Sequence, residues 1–401
     1  MARRVRAERS SPLEILAIFL KLGLTSFGGP VAHLGYYRAE FVDKRKWLDA
    51  AGYADLVALC QFLPGPSSSE FGIAVGLLRA GVIGALAAWI GFTLPSALLM
   101  AGFGYGMASL GDLAHAPWLH GLKLVAFAVV AQAVWAMARA LTPDAQRALL
   151  ALAAAILVLA VASIWGQLGA IALGALIGWR FLPGERRHAA KPLTPPVSRG
   201  VSLGALVLFF ALLALLPLAA SQGGNAWKLF DGFYRAGALV FGGGHVLLPL
   251  LDAVVVPKGW VGQDAFLAGY GAAQALPGPI FTFSAYLGMV MGPAPGGWQA
   301  ACLALVAIFL PGFLLVVGSL PFWSELRVNE AAQSALKGVN AAVVGLLLAA
   351  LYNPIFVNAV FGAGDFAFAL AAFALLQFAR VPPWAVVILG AFATEGLARL
   401  T

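Results

Sequence analysis

Four basic residues sit inside apolar stretches, and they fall into two pairs. Lys21 and Arg235 each lie six residues before a Phe-Gly-Gly triplet, Phe27-Gly28-Gly29 in one case and Phe241-Gly242-Gly243 in the other. Lys123 and Lys337 form the second pair, in "GLKLVAFAVV" and "ALKGVNAAVV". A charge at mid-membrane costs roughly 2.5–3.5 kcal/mol on insertion scales. Keeping it twice at matched places suggests a role in both, and the chemistry on offer is attraction of an anion where screening is weak. The plain alternative is snorkelling to the interface, which suits Lys123 and Lys337 because they stand near segment ends.

A second repeated feature adds to this. "QFLPGP" (Gln61, Leu63, Pro64, Gly65, Pro66) returns 213 positions later as "QALPGP" (Gln274, Leu276, Pro277, Gly278, Pro279). Two prolines around a glycine break a helix. In lipid, a break is tolerated where it is buried in protein or lines a water-filled cavity. Each break makes helix ends, and a helix that starts inside a membrane presents unpaired N–H groups and about half a positive charge. That combination is an anion site without a charged side chain. Pro66 suits the first turn of the next helix, and Ser67, Ser68 and Ser69 add hydroxyls; Thr282 is the nearest hydroxyl after Pro279. The glycines at Gly28-Gly29 and Gly242-Gly243-Gly244 allow close approach and positive φ. A single such break would be ordinary, since glycine and proline are frequent in membrane helices; two matched pairs favour a functional reading.

Asp55 and Glu70 are acids flanked by apolar residues, aligned with Ala268 and Phe283 of the second copy. They could carry a coupling proton or neutralise a nearby cation. His245, after the second glycine triplet, reads as a cap donor or a proton relay, and Asn340 as a polar neighbour of Lys337. Enzyme readings find no support. There is no Walker A loop, no HExxH and no ligand cluster at metal spacing, so neither cofactor nor metal is expected. Cys60 and Cys302 read as small core residues.

These residues need elements to position them. The chain has 401 residues, 61% hydrophobic and 10% charged, with mean hydropathy +0.90. A soluble domain carries roughly 25% charged residues. The fold class expected is an all-α polytopic membrane protein, and no cleavable signal peptide is expected. "FLKLGLTSFGGP" aligns with "FYRAGALVFGGG", Trp47 with Trp260, and Pro95 with Pro311; from Phe19 to Lys123 the offsets stay between 213 and 216. This indicates an internal duplication: a basic N-terminus (1–11), a first repeat (12–182), a basic loop (183–200), a linking helix (201–221) and a second repeat (226–400). One extra crossing between two copies inverts the second, an arrangement found in secondary transporters.

The topology expected has hairpins at 13–41 and 48–78. The run 48–63 reaches about 24 Å, short of the roughly 30 Å hydrocarbon core. Full crossings follow at 82–109, 119–138, 148–164 and 166–182. With the second copy mirrored, nine full spans result. Eighteen Lys and Arg then fall inside and three outside, the other four lying within segments, as the positive-inside rule requires. The N-terminus is then cytoplasmic and the C-terminus outside. A rival scheme of 13 spans puts Asp43–Lys46 outside.

The basic residue before "FGG", the "FGGP" break, the basic stretch before Trp47 and "QFLPGP" with its echo together resemble the chromate ion transporter family in its long, two-domain form. The likeness spans nearly the whole chain. It implies a bacterial inner-membrane protein that exports chromate and confers chromate resistance, with sulfate, a similar tetrahedral dianion, as a further candidate substrate. The implied partners are the anion and the lipid bilayer; nucleic acid is not among them, and a homodimer is open. Two alternatives stand: an anion channel or uptake carrier for another oxyanion such as sulfate, and a membrane-embedded enzyme or assembly subunit. The second copy has Gly244 in place of Pro30 and lacks the serine run, so the half-sites need not be equivalent.

Overall fold

A computed structural model describes residues 10–109, 116–184, 197–292 and 295–399. Most of the basic N-terminus and of the basic loop expected at 183–200 lies outside these. Among the described residues all regular structure is helical. The first part of the chain gives α1 (Pro12–Thr25), α2 (Gly29–Arg38), α3 (Ala50–Phe62), α4 (Ser67–Ser109), α5 (Pro117–Leu141), α6 (Ala145–Ala160) and α7 (Ile164–Phe181). Next come α8 (Arg199–Gln222), α9 (Asn225–Ala238), α10 (Leu247–Val255), α11 (Gln263–Ala273), α12 (Phe283–Val290) and α13 (Gly297–Ser319). The chain closes with α14 (Trp323–Leu326), α15 (Glu330–Ala350), α16 (Val357–Ala359), α17 (Ala363–Gln377) and α18 (Pro383–Ala398).

Side-chain caps set several starts. Ser11, Asp49, Asp144, Ser163, Ser198 and Asn329 each accept a backbone N–H from the first turn of the helix that follows, satisfying one of its orphan donors. The helices end where expected around both breaks: α1 stops before Phe27, α3 before Leu63, α9 before the second glycine triplet and α11 before "QALPGP". α4 runs 43 residues but is kinked at Ala80 and Gly81, which separates the expected 67–78 and 82–109 segments. The second copy breaks outright at the matching place, between α12 and α13.

Among the described residues, six helices are long and apolar enough to cross a membrane: α4, α5, α7, α8 and the continuous runs Gly297–Leu326 and Glu330–Ala359. The other three expected crossings fall on shorter apolar helices. α6, α17 and α18 have 15 or 16 residues, about 24 Å of rise, short of the hydrocarbon core. Leu203, Phe210, Trp165 and Phe392 are among many large apolar side chains left exposed, a surface that lipid would cover. Cys60 is buried, as expected, but Cys302 is exposed; it lies on the outer side of α13 and is not a core residue.

The packing is reciprocal. α1 lies along α4, and its counterpart α9 lies along α13. Both contacts are backbone to backbone at a glycine: a Cβ on Gly23 would come within 2.7 Å of the Phe92 carbonyl, and one on Gly237 within 2.2 Å of the Ile308 carbonyl. α5 packs against α17 and α18, while its counterpart α15 packs against α6 and α7. Each copy thus seats one long helix in the final helix pair of the other. Gly174 and Gly178, four apart on α7, let Gly338 of α15 approach so closely that a Cβ there would sit 1.9 Å from the Gly174 carbonyl, the small-residue contact that lets membrane helices touch.

Candidate anion-binding site

The two "PGP" turns cross. Gly65 donates its N–H to the Val240 carbonyl at 2.8 Å, and Gly278 donates its N–H to the Ser26 carbonyl at 2.9 Å. Val240 and Ser26 are the residues just before Phe241 and Phe27, so each turn is tied to the start of the other copy's Phe-Gly-Gly break. The backs of the turns are also reciprocal. Gly65 packs on Gly312, which follows Pro311 of α13, and Gly278 packs on Ser96, which follows Pro95 of α4. Both turn glycines have positive φ, 146° at Gly65 and 89° at Gly278, which a residue with a Cβ rarely adopts.

The two Phe-Gly-Gly breaks complete the crossing. A Cβ on Gly244 would lie 2.7 Å from Ile280 Cγ2 and 4.0 Å from Pro30 Cγ, so the second triplet meets both the first copy's "FGGP" and the exit of its own "PGP". Gly28, Gly29, Gly242 and Gly243 all have positive φ. Phe27 leans on Trp384 of α18, ring centroids 6.3 Å apart. Four breaks therefore converge on one place. α2 and α4 start there directly, whereas α10 and α12 start through single 3-10 turns, Gly244–Val246 and Ile280–Thr282. Each start presents unpaired N–H groups and a partial positive charge.

Polar side chains around the crossing lack partners among the described residues. Ser26 Oγ, Ser69 Oγ, Thr93 Oγ1, Asn340 Oδ1 and both carboxyl oxygens of Glu70 are buried and unbonded. Asn340 does not turn to Lys337. Its Oδ1 is 3.5 Å from where a Gly242 Cβ would be. Ser67 is half-buried and Ser68 buried. The Thr282 hydroxyl instead donates to the Pro279 carbonyl at 2.9 Å. Gln61 is exposed, and Gln274 makes only a 3.5 Å contact with the Tyr270 carbonyl.

The basic pairs are not drawn into the crossing by any contact. Lys21 is exposed on α1. Arg235 is ion-paired with Asp231, one turn earlier on α9, and Ala17, the residue matching Asp231, offers no such partner to Lys21. Lys123 is buried and donates to Asp264 Oδ1 at 2.8 Å. Lys337 donates to the Pro183 carbonyl at 2.9 Å. Lys123 thus reaches α11 of the second copy, and Lys337 reaches the start of the loop that follows the first copy. Asp55 accepts from Arg327 Nη1 at 2.7 Å and Trp323 Nε1 at 2.9 Å, which joins α3 to the end of Gly297–Leu326. His245 Nδ1 pairs with the Tyr270 hydroxyl at 2.8 Å.

The matched tryptophans each carry a cation on the ring face. Arg45 and Arg79 lie 5.3 and 4.5 Å from the Trp47 ring centroid, and Lys258 lies 4.4 Å from that of Trp260. Beside Trp47, Glu40 binds Arg45 and Lys44. Desolvation pushes the Glu40 carboxyl up, but hydrogen bonds and charge from Arg45 and Lys44 outweigh it and hold the group below its usual range.

Sequence reasoning missed Ser96 and Gly312, which follow matched prolines but carry no local signal of contact. It also missed His33, whose Nε2 sits 3.1 Å from the Ser26 carbonyl and so shares that acceptor with Gly278.

The chromate transporter family model matches the chain twice, over residues 13–179 and 227–394. The chain belongs to this family. A chromate transport protein of Pseudomonas aeruginosa is 30% identical over 341 residues, covering 83% of this chain and 79% of that one. A probable chromate transport protein of Synechococcus elongatus is 28% identical over 346 residues, covering 84% and 83%. A chromate transport protein of Cupriavidus metallidurans is 28% identical over 351 residues, covering 84% and 81%. No solved structure matches the chain. The two family matches contain one "FGG" and one "PGP" break each, so the crossing joins the two copies of the family unit. The family consists of transporters, not enzymes.

Proposed function

We propose that the chain is a secondary transporter built from two inverted repeats, and that it moves chromate outward across a bacterial inner membrane by binding the dianion where the four breaks cross. The observation that carries this reading is the reciprocal pair of hydrogen bonds, Gly65 to Val240 and Gly278 to Ser26. A two-fold relation of this kind puts equivalent helix starts on both sides of one locus, as alternating access about a fixed midplane site requires. The ligand is held by backbone N–H groups and hydroxyls, with Lys21 and Arg235 lending charge from flanking helices. Arg235 reaches the anion only after leaving Asp231.

The energetics favour export. One elementary charge across 100 mV is worth about 2.3 kcal/mol. A dianion leaving a negative interior gains about 4.6 kcal/mol, or about three decades of concentration, without ATP. A site of N–H groups does not by itself separate chromate from sulfate, because both are tetrahedral dianions. The topology proposed keeps the N-terminus cytoplasmic and the C-terminus outside, and the first copy spans 12–182 with the second at 226–400.

The test is chromate flux in oriented vesicles with and without an imposed potential, sulfate being added as competitor. Outward flux that rises with a negative interior supports the reading. Chromate flux indifferent to potential, or absent, overturns it, and strong competition by sulfate widens the substrate class to tetrahedral dianions.

A further inference from the structure

Glu70 stands one turn into α4, immediately behind the first "PGP" turn, with its side chain fully buried. A Cβ on Gly65 would lie 2.2 Å from its Oε1, and one on Gly312 would lie 2.9 Å from the same oxygen. The carboxyl is therefore wedged between the turn of one copy and the proline-interrupted helix of the other. Neither oxygen has a hydrogen-bond partner among the described residues. Among the described residues it has no ion-pair partner. α13 presents Gly312, the turn presents Gly65 and Pro66, and α3 contributes the buried Cys60 thiol, with the Tyr37 hydroxyl of α2 beyond it.

Several intramembrane charges in this chain are paired: Arg235 with Asp231, Asp55 with Arg327, Lys123 with Asp264. Glu70, in the wall of the crossing, has no such partner among the described residues. An ionised carboxylate with no donor in reach is costly to bury. An anion at the α4 start, one helical turn away, would meet that negative charge in a weakly screened place. The neutral acid removes both penalties.

We propose, building on the anion site above, that Glu70 is a proton-binding site linked to the substrate: the dianion binds beside it when the carboxyl is protonated, so one proton crosses with each anion and the pair moves one net negative charge, half that of the dianion crossing alone. The proton comes from the aqueous side open to the site and occupies one carboxyl oxygen. It leaves to the opposite side when the anion leaves. Linkage makes the effect mutual, each ligand tightening the other by the same factor.

The experiment compares the parent with Glu70→Gln, a fixed neutral isostere, for chromate binding across pH. Chromate's own titration is common to both and cancels in their ratio. The parent should weaken relative to E70Q by about tenfold or more as pH rises, and chromate-driven proton movement into dye-loaded vesicles should be lost in E70Q. A second measurement needs no variant. Adding chromate to the unbuffered parent protein, at an alkaline pH where the parent-to-E70Q ratio is falling and chromate carries no proton, should take up protons, at most one per anion bound, as the linkage requires. A pH-independent ratio, no proton uptake, or a requirement for sodium in place of pH would overturn the proposal. If the parent fails to bind chromate at all, the anion-site reading falls instead.

Discussion

Gly65→Ala concentrates the tests of the crossing in one methyl group. The added Cβ would lie 2.2 Å from Glu70 Oε1, 3.0 Å from its Cδ and 3.4 Å from Gly312 Cα. Glu70 has nowhere to withdraw, being fully buried and pressed on its other side by Gly312. The residue must also hold φ of 146°, a conformation that costs of order 1–3 kcal/mol for a residue with a Cβ. If the turn shifts to relieve the clash, it loses the bond to Val240, worth about 0.5–1.5 kcal/mol net. The expected total is about 2–4 kcal/mol. Gly29→Ala is the control. Its φ is also positive, at 75°, but a Cβ there meets nothing within 4 Å, so it carries the backbone cost alone, about 1–2 kcal/mol. The assay is thermal unfolding of purified protein in detergent together with chromate flux per inserted molecule. G65A should fall well below both the parent and G29A in each. A G65A protein within about 0.5 kcal/mol of the parent, or one no worse than G29A, would refute the reasoning.

Asp55→Ala, which removes a hydrogen-bonded carboxylate from Arg327 where the two side chains are 10% and 4% exposed, should cost about 1.5–3 kcal/mol. The Asp55→Ala/Arg327→Met double variant should recover part of that, and a double-mutant cycle on unfolding checks it. Lys21→Met and Arg235→Met should each weaken chromate affinity without loss of insertion, and non-additively if both cations act on one bound ion; unchanged affinity in both would leave the site to its N–H groups. In a Cys302→Ser background, a cysteine at the exposed Lys44 should be labelled only from the cytoplasmic side and one at Lys258 only from outside. Labelling of both from one face would contradict the inverted topology.

Much of this arrangement is legible in the sequence because breaks in membrane helices are punctuated by residues with backbone consequences. The two "PGP" turns and two Phe-Gly-Gly breaks end helices at the expected places, and the long apolar runs give α5, α7 and α8. The crossing itself is not legible. Nothing local in "FGGP" says that the carbonyl before it will accept from Gly278, 252 residues away. The fates of the charges are likewise three-dimensional. Lys123 looks like a snorkelling residue until Asp264 arrives from α11, and Asp55 looks free to bind a proton until Arg327 and Trp323 claim it. Helix lengths are less legible: α6, α17 and α18 have only 15 or 16 residues, since they stop at Val161, Phe378 and Arg399. Glu70 reads in sequence as one apolar-flanked acid of two. Only its packing between Gly65 and Gly312 separates it from Asp55.

The stoichiometry of chromate binding to the purified chain tests the crossing most directly. The parent should bind one chromate per chain. Replacing Pro64-Gly65-Pro66 by alanines should abolish that binding, and so should replacing Pro277-Gly278-Pro279, because either change lets one helix run through and removes half of a shared site. Two chromates per chain, with each replacement removing one, would mean two separate half-sites; unaltered binding in both would mean that the breaks are packing kinks and the anion binds elsewhere.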